Sequence, residues 1–146
     1  MSETPSNLAE LAPQQRHDCA VLADLLASAG RWDIVVLGSV LLGGWALAQG
    51  PMPGALFAGL GLLLAERYLA VRLSLDQRLF ERLALGSLPG LAALDGSLTR
   101  LFALPEAKAG RLLAARFAGT RRLWRLHLAS VLALAALAAV ALARMP

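Results

Sequence analysis

IVVLGSVLLGGWALAQGPMPGALFAGLGLLLA, residues 34–65, holds no charged side chain. Its middle, Gln49-Gly50-Pro51-Met52-Pro53-Gly54, divides it into two apolar arms. Pro51 and Pro53 cannot donate backbone hydrogen bonds, and Gly50 and Gly54 accept unusual dihedrals, so this segment reads as a tight, rigid turn. Ile34 to Ala48 has Ser39 as its one polar side chain, and Gly54 to Ala65 has none. A helix apolar on every face is either deeply buried or faces lipid. A third uncharged run, Leu128 to Ala143, is broken only by Ser130. A chain of 146 residues can bury one such helix but hardly three, because small domains keep much surface in water. The expected fold class is an all-α integral membrane protein. It has three transmembrane helices, a helical hairpin plus a C-terminal span, with amphipathic cytoplasmic helices.

Each uncharged arm of the hairpin is about 16 residues, slightly under the roughly 20 that cross a hydrocarbon core of about 30 Å. Residues at the boundary make up the difference. Arg31, Trp32 and Asp33 flank the first arm; Glu66, Arg67, Tyr68 and Arg72 flank the second. Arginine stems snorkel, and Trp and Tyr favour the headgroup level. Small residues recur on both arms: Ser39, Gly43 and Gly44 on one, Ala55 and Gly59 on the other. That spacing lets backbones approach closely, and it predicts packing within the hairpin, with a dimerisation face as the alternative.

Composition agrees. Hydrophobic residues make up 58% of the chain, which is high for a water-soluble domain. The net charge of +4 is carried almost wholly by arginine, Lys108 being the one lysine. An Arg-, Ala- and Leu-rich composition points to a GC-rich bacterial genome. Cys19 stands alone, cannot form an internal disulfide, and is read as a packing residue.

The length fits one domain, divided into four segments: 1–33, 34–71, 72–122 and 123–146. Residues 1–33 are a cytoplasmic tail followed by an amphipathic helix. Met1 to Pro13 is polar. From Gln14 to Ala29, Val21, Leu22, Leu25 and Leu26 form the expected apolar stripe, and Gly30 is the expected C-cap. This segment holds two arginines against five acids, unlike the basic start of a signal peptide. Ala46-Leu47-Ala48 mimics a cleavage site, but a second apolar arm follows at once, so no cleavage is expected.

Residues 34–71 are the transmembrane hairpin and 72–122 a basic helical segment. The helix of the second arm is expected to run on to a turn at Gly86-Ser87-Leu88-Pro89-Gly90. Val71, Leu75, Leu79 and Leu83, with Phe80, form its apolar stripe. Leu91, Leu94, Leu98, Leu101 and Phe102 form a second stripe, and Pro105-Glu106 fits the opening of a further helix. Residues 123–146 are the C-terminal transmembrane helix. The stretch from Arg72 to Arg125 carries ten of the fourteen basic residues against four acids, whereas the hairpin turn carries no charge. The positive-inside rule then gives a multi-pass protein of the inner membrane, N-terminus cytoplasmic and C-terminus outside.

Two groups of residues are candidates for chemistry. Glu66 leads the first, because a carboxylate within a span is costly. Asp33 lies at the same depth on the facing arm. With Arg31, Arg67, Arg122, Arg125 and His127, they form an expected polar collar in which carboxylates pair with arginines. The second group is Arg111, Arg116, Arg121, Arg122 and Arg125, which leads into the third span without any acid after Glu106. It is read as a contact for anionic headgroups of the bilayer. Nucleic acid is not expected, since the cluster abuts the membrane and carries no binding motif. His17 and His127 are the only histidines and stand far apart in sequence, so no metal or cofactor is expected. No phosphate-cradling loop or catalytic set is visible. The expected function is a non-catalytic accessory, scaffold or anchoring subunit of a membrane complex, with a membrane-protein partner or a second copy as its contact. The alternative is an oligomeric small transporter or pore using a carboxylate near the membrane boundary.

Overall fold

The computed structural model describes residues 11–49, 53–87 and 113–144, and the described residues are all helix, turn or short connection, with no strand. Among the described residues four α-helices follow in order: α1 (Pro13–Ala27), α2 (Asp33–Gln49), α3 (Pro53–Ala84) and α4 (Leu113–Ala143). A 3₁₀ turn, Ser28–Trp32, joins α1 to α2.

Proline at the first turn and a side-chain bond start α1. The Ala12 backbone N–H donates to Gln15 Oε1 at 3.1 Å, satisfying one of the free donors of the helix start. Gly30 does not cap α1. It lies within the 3₁₀ turn, and the chain runs from α1 into α2 almost without a break. Gly86 is the described glycine with a positive φ, +68°. There it closes α3: Gly86 N donates to Leu83 O at 3.2 Å and Ser87 N to Arg82 O at 3.1 Å, the paired bonds of a Schellman turn.

Two long helices form the frame. With 32 and 31 residues, α3 and α4 extend about 48 and 46 Å at 1.5 Å per residue. They run antiparallel, as shown by the facing pairs Asp76–Thr120, Phe80–Phe117 and Glu66–His127. On α4 the residues Leu113, Thr120, His127, Leu134 and Ala141 are all buried, each seven positions after the last. On α3, Glu66, Leu73 and Phe80 repeat the same step, with Leu83 beside them. A seven-residue step brings a helix back to within about 20° of the same face, whereas a four-residue step drifts by about 40°. This is why the expected stripe on α3 is only half buried: Val71 and Leu75 are exposed, and Leu73, Phe80 and Leu83 face inward. The α1 stripe shifts likewise. Val21 and Leu25 are exposed, while Cys19, Leu22, Ala23 and Leu26 are buried.

The described helices form two halves along their length. In one, α1 packs on the second half of α3, which also meets the start of α4. Cys19, Leu22, Leu26, Leu73, Phe80, Leu83 and Leu113 form this core, and the Phe80 and Phe117 rings lie 5.4 Å apart at a 59° tilt. In the other half, α2, the first half of α3 and the second half of α4 meet in a smaller cluster of Val36, Val131 and Leu134. Three described helical stretches, Pro13–Gln49, Gly54–Ala84 and Leu113–Ala143, are long and apolar enough to cross a membrane.

The two arms of the hairpin do not pack on each other as expected. α4 lies against both, and α2 and α3 have little direct contact. Two of the small residues, Gly43 and Gly59, face α4 instead. A Cβ on Gly43 would sit 3.6 Å from Ala138 Cβ, and one on Gly59 would sit 3.5 Å from Leu137 Cδ2. Helix α4 runs continuously from Leu113, so the segment before the third span and the span itself are one element. The expected stripe at Leu91–Phe102 and the helix opening at Pro105 lie outside the described residues.

Candidate functional site

Where the two halves join, three helices bring charged groups together. Asp33 opens α2, in the first turn, where a helix N-terminus favours negative charge. Glu66 and Arg67 follow each other near the middle of α3. His127 faces them from α4. Glu66 is fully buried and His127 is 2% exposed. Arg67 Nε donates to Glu66 Oε2 at 2.5 Å and Arg67 Nη2 to Glu66 Oε1 at 3.1 Å. The same Nη2 donates to Asp33 Oδ1 at 2.6 Å. One guanidinium therefore spans two carboxylates on two helices. Its side chain stays about half exposed, as does that of Asp33.

His127 completes the cluster. Its Nδ1 lies 3.5 Å from Glu66 Oε1, and neither ring nitrogen has a hydrogen-bond partner among the described residues. A carboxylate removed from water without a partner costs several kcal/mol, so the fork from Arg67 is what lets Glu66 stand in a helix interface. Glu66, Thr120 and His127 all occupy the seven-residue rows that form the α3–α4 seam. Thr120 Oγ1 donates to Asp76 Oδ2 at 2.8 Å, a second polar tie across the same seam. Polar groups at such positions fix register at some cost in stability. Sequence reading did not reach the Asp76–Thr120 bond. The seven-residue row on α4 was the available signal.

Of the expected collar, the structure brings Asp33, Glu66, Arg67 and His127 together. Arg31, Arg122 and Arg125 stand exposed and make no bond to either carboxylate. The reason is helical phase: at 100° per residue, Arg122 and Arg125 lie about 140° and 160° around α4 from His127. Of the expected headgroup contacts, Arg121, Arg122 and Arg125 are exposed and Arg116 is half-buried. Arg111 lies outside the described residues.

A second feature lies on the apolar half. Because α2 and α3 stand apart over α4, a cleft of about 150 Å³ opens between them. Gly43, Gly44, Ala55 and Gly59 line its walls, and Leu137 and Ala138 belong to its floor on α4. Ser39 also lines it, with its hydroxyl donating to Val35 O at 2.7 Å. That bond leaves the wall without a free polar donor. The described residues contain no group of three His, Cys, Asp or Glu side chains placed to hold a metal ion. Comparison of the chain with protein-family models, with characterised proteins and with solved structures gives no match.

Proposed function

We propose that this chain is a multi-pass protein of the bacterial inner membrane that acts as a non-catalytic accessory or anchoring subunit. The observation that carries the reading is the uncovered apolar surface of its helices. Ile34 is 78% exposed, Phe57 73% and Leu64 71%. Large apolar side chains left open on two helices need lipid or a partner helix over them. The cleft between α2 and α3 supports a partner within the membrane, because its glycine-lined walls let another backbone approach. The partner is read as a membrane protein or a second copy of the chain.

Orientation follows the same reading. Arg72, Arg78, Arg82, Arg121, Arg122 and Arg125 lie on the half of the molecule remote from the hairpin turn. The positive-inside rule assigns that half, with the N-terminus, to the cytoplasm, and the C-terminus to the outside. These arginines would then meet anionic headgroups.

Purification of the tagged full-length chain in mild detergent tests the proposal. One defined membrane-protein partner, or a closed homo-oligomer, should accompany it at fixed stoichiometry. Gly44→Phe, which fills the cleft wall, should reduce that recovery. A chain recovered alone, unchanged by the substitution, contradicts the reading. A second reading, an oligomeric small transporter, is favoured by the burial of Glu66 and His127 in the seam. It requires proton-linked flux in liposomes that Glu66→Gln abolishes; an accessory subunit shows no flux alone.

A further inference from the structure

One face of α3 is left open along most of its length. Phe57, Gly61, Leu64, Tyr68, Val71 and Leu75 follow each other at alternating steps of four and three residues, and each is exposed. A step that averages about 3.5 residues is the spacing of a helix–helix seam. The row lies on the side away from Glu66, Leu73 and Phe80, so neither α4 nor α1 covers it. A Cβ on Gly61 would meet nothing within 4 Å, which leaves a hole in the row for a side chain of a neighbouring helix.

Lipid covers only part of this row. In the insertion proposed above, the charged cluster at Glu66 stands at the edge of the hydrocarbon. At 1.5 Å per residue, Leu75 lies about 14 Å further along α3, past a headgroup layer of about 5–8 Å. Leu75 is more than half exposed there. The same steps then reach Arg78 and Arg82. Both are exposed, and no side chain among the described residues pairs with either. Anionic headgroups answer the charge alone and leave Leu75 bare. A second copy fits the apolar part. But copies that thread the membrane alike would pair in parallel, setting Arg78 on Arg78 and Arg82 on Arg82.

We propose that this row of α3 docks one helix of a different membrane protein, apolar through the hydrocarbon and carrying Asp or Glu where it passes Arg78 and Arg82. The inference rests on the anchoring reading and gives its partner a chemistry.

Two synthetic single-span peptides serve as probes. They share an Ala-Leu span and differ at the two seam positions beyond it, which are Glu in one and Lys in the other. The labelled full-length chain is reconstituted in phosphatidylcholine vesicles, whose headgroups carry no net charge, and energy transfer to each peptide is titrated. The natural chain should bind the Glu peptide about tenfold more tightly than the Lys peptide, through two gained ion pairs against two repulsions. Arg78→Glu combined with Arg82→Glu should reverse the order, and Leu75→Ser should weaken both peptides alike. Equal affinity of the natural chain for the two peptides overturns the proposal and needs no variant to fold. No transfer to either peptide also overturns it, leaving lipid as the cover. So does transfer between two labelled copies of the chain that Leu75→Ser removes, since a second copy would then hold the row. Recovery of a partner from membranes, without a preference between the peptides, would refute this face and leave the anchoring reading standing.

Discussion

Arg67 is the residue on which the buried polar cluster turns. It holds Glu66 with two bonds and reaches Asp33 with a third contact across the helix pair. Removing it leaves a fully buried carboxylate without its fork. Arg67→Gln should therefore destabilise the protein by about 2 kcal/mol, a value kept below that of a fully buried pair because the guanidinium is half solvated. Arg67→Gln combined with Glu66→Gln should recover much of the loss, since the orphaned charge goes with it. Unfolding of the purified protein in mixed micelles measures both, and equal stability of the single and double variants would contradict the pairing. Cys19 gives a second prediction at this level. It is fully buried, and burial, with the charge of Asp18 beside it, pushes its thiol above the ordinary range. The native chain should therefore react slowly with iodoacetamide at pH 8 and quickly once unfolded. The sign for stability follows. The folded state holds the thiol proton to higher pH than the unfolded state does. Stability is thus whole below about pH 8.5 and declines above it, and Cys19→Ala should remove that part of the decline.

Helices α2, α3 and α4 owe their existence to composition and their arrangement to a few small residues. The apolar runs were legible in the sequence because hydropathy needs no phase: residues 34–48 and 128–143 are apolar on any face. Phase was not legible. Leucine and alanine are so common that four-residue and seven-residue rows both look apolar on paper, and only the facing helix decides between them. That is why Val71 and Leu75 fell outside the core while Glu66 and His127 fell inside. The meeting of Asp33, Glu66 and Arg67 was within reach, since equal depth on two arms of a hairpin brings them together. The exclusion of Arg122 and Arg125 was not, because it depends on where around α4 they fall. The packing of α4 against both arms also escaped the sequence, since glycine-rich rows fit any close neighbour. The Gly43 contact tests that arrangement. With 3.6 Å available beside Ala138, Gly43→Ala should fit and change stability by less than about 0.5 kcal/mol, whereas Gly43→Leu should cost about 1–3 kcal/mol by forcing α4 away. Equal tolerance of both side chains would mean that α2 and α4 are not packed at this point.

At the scale of the molecule, the described helices form two unlike halves on one pair of long helices. One half has a core of its own, where α1 covers α3 through Leu22, Leu26, Phe80 and Leu83, with Leu113 of α4 in the same cluster. The other has little core, a cleft between α2 and α3, and large apolar side chains facing outward. The charged cluster stands at the junction. This division is what a chain half in lipid and half in water requires, since lipid covers apolar surface that water would not. Helices of 31 and 32 residues exceed a hydrocarbon core of about 30 Å, so in a chain inserted as proposed both would extend beyond it. The account rests on membrane insertion, and alkaline carbonate extraction of membranes carrying the full-length chain tests it. The chain is predicted to stay with the membrane pellet and to leave it only with detergent. Release by carbonate of a monodisperse, water-soluble protein would contradict it.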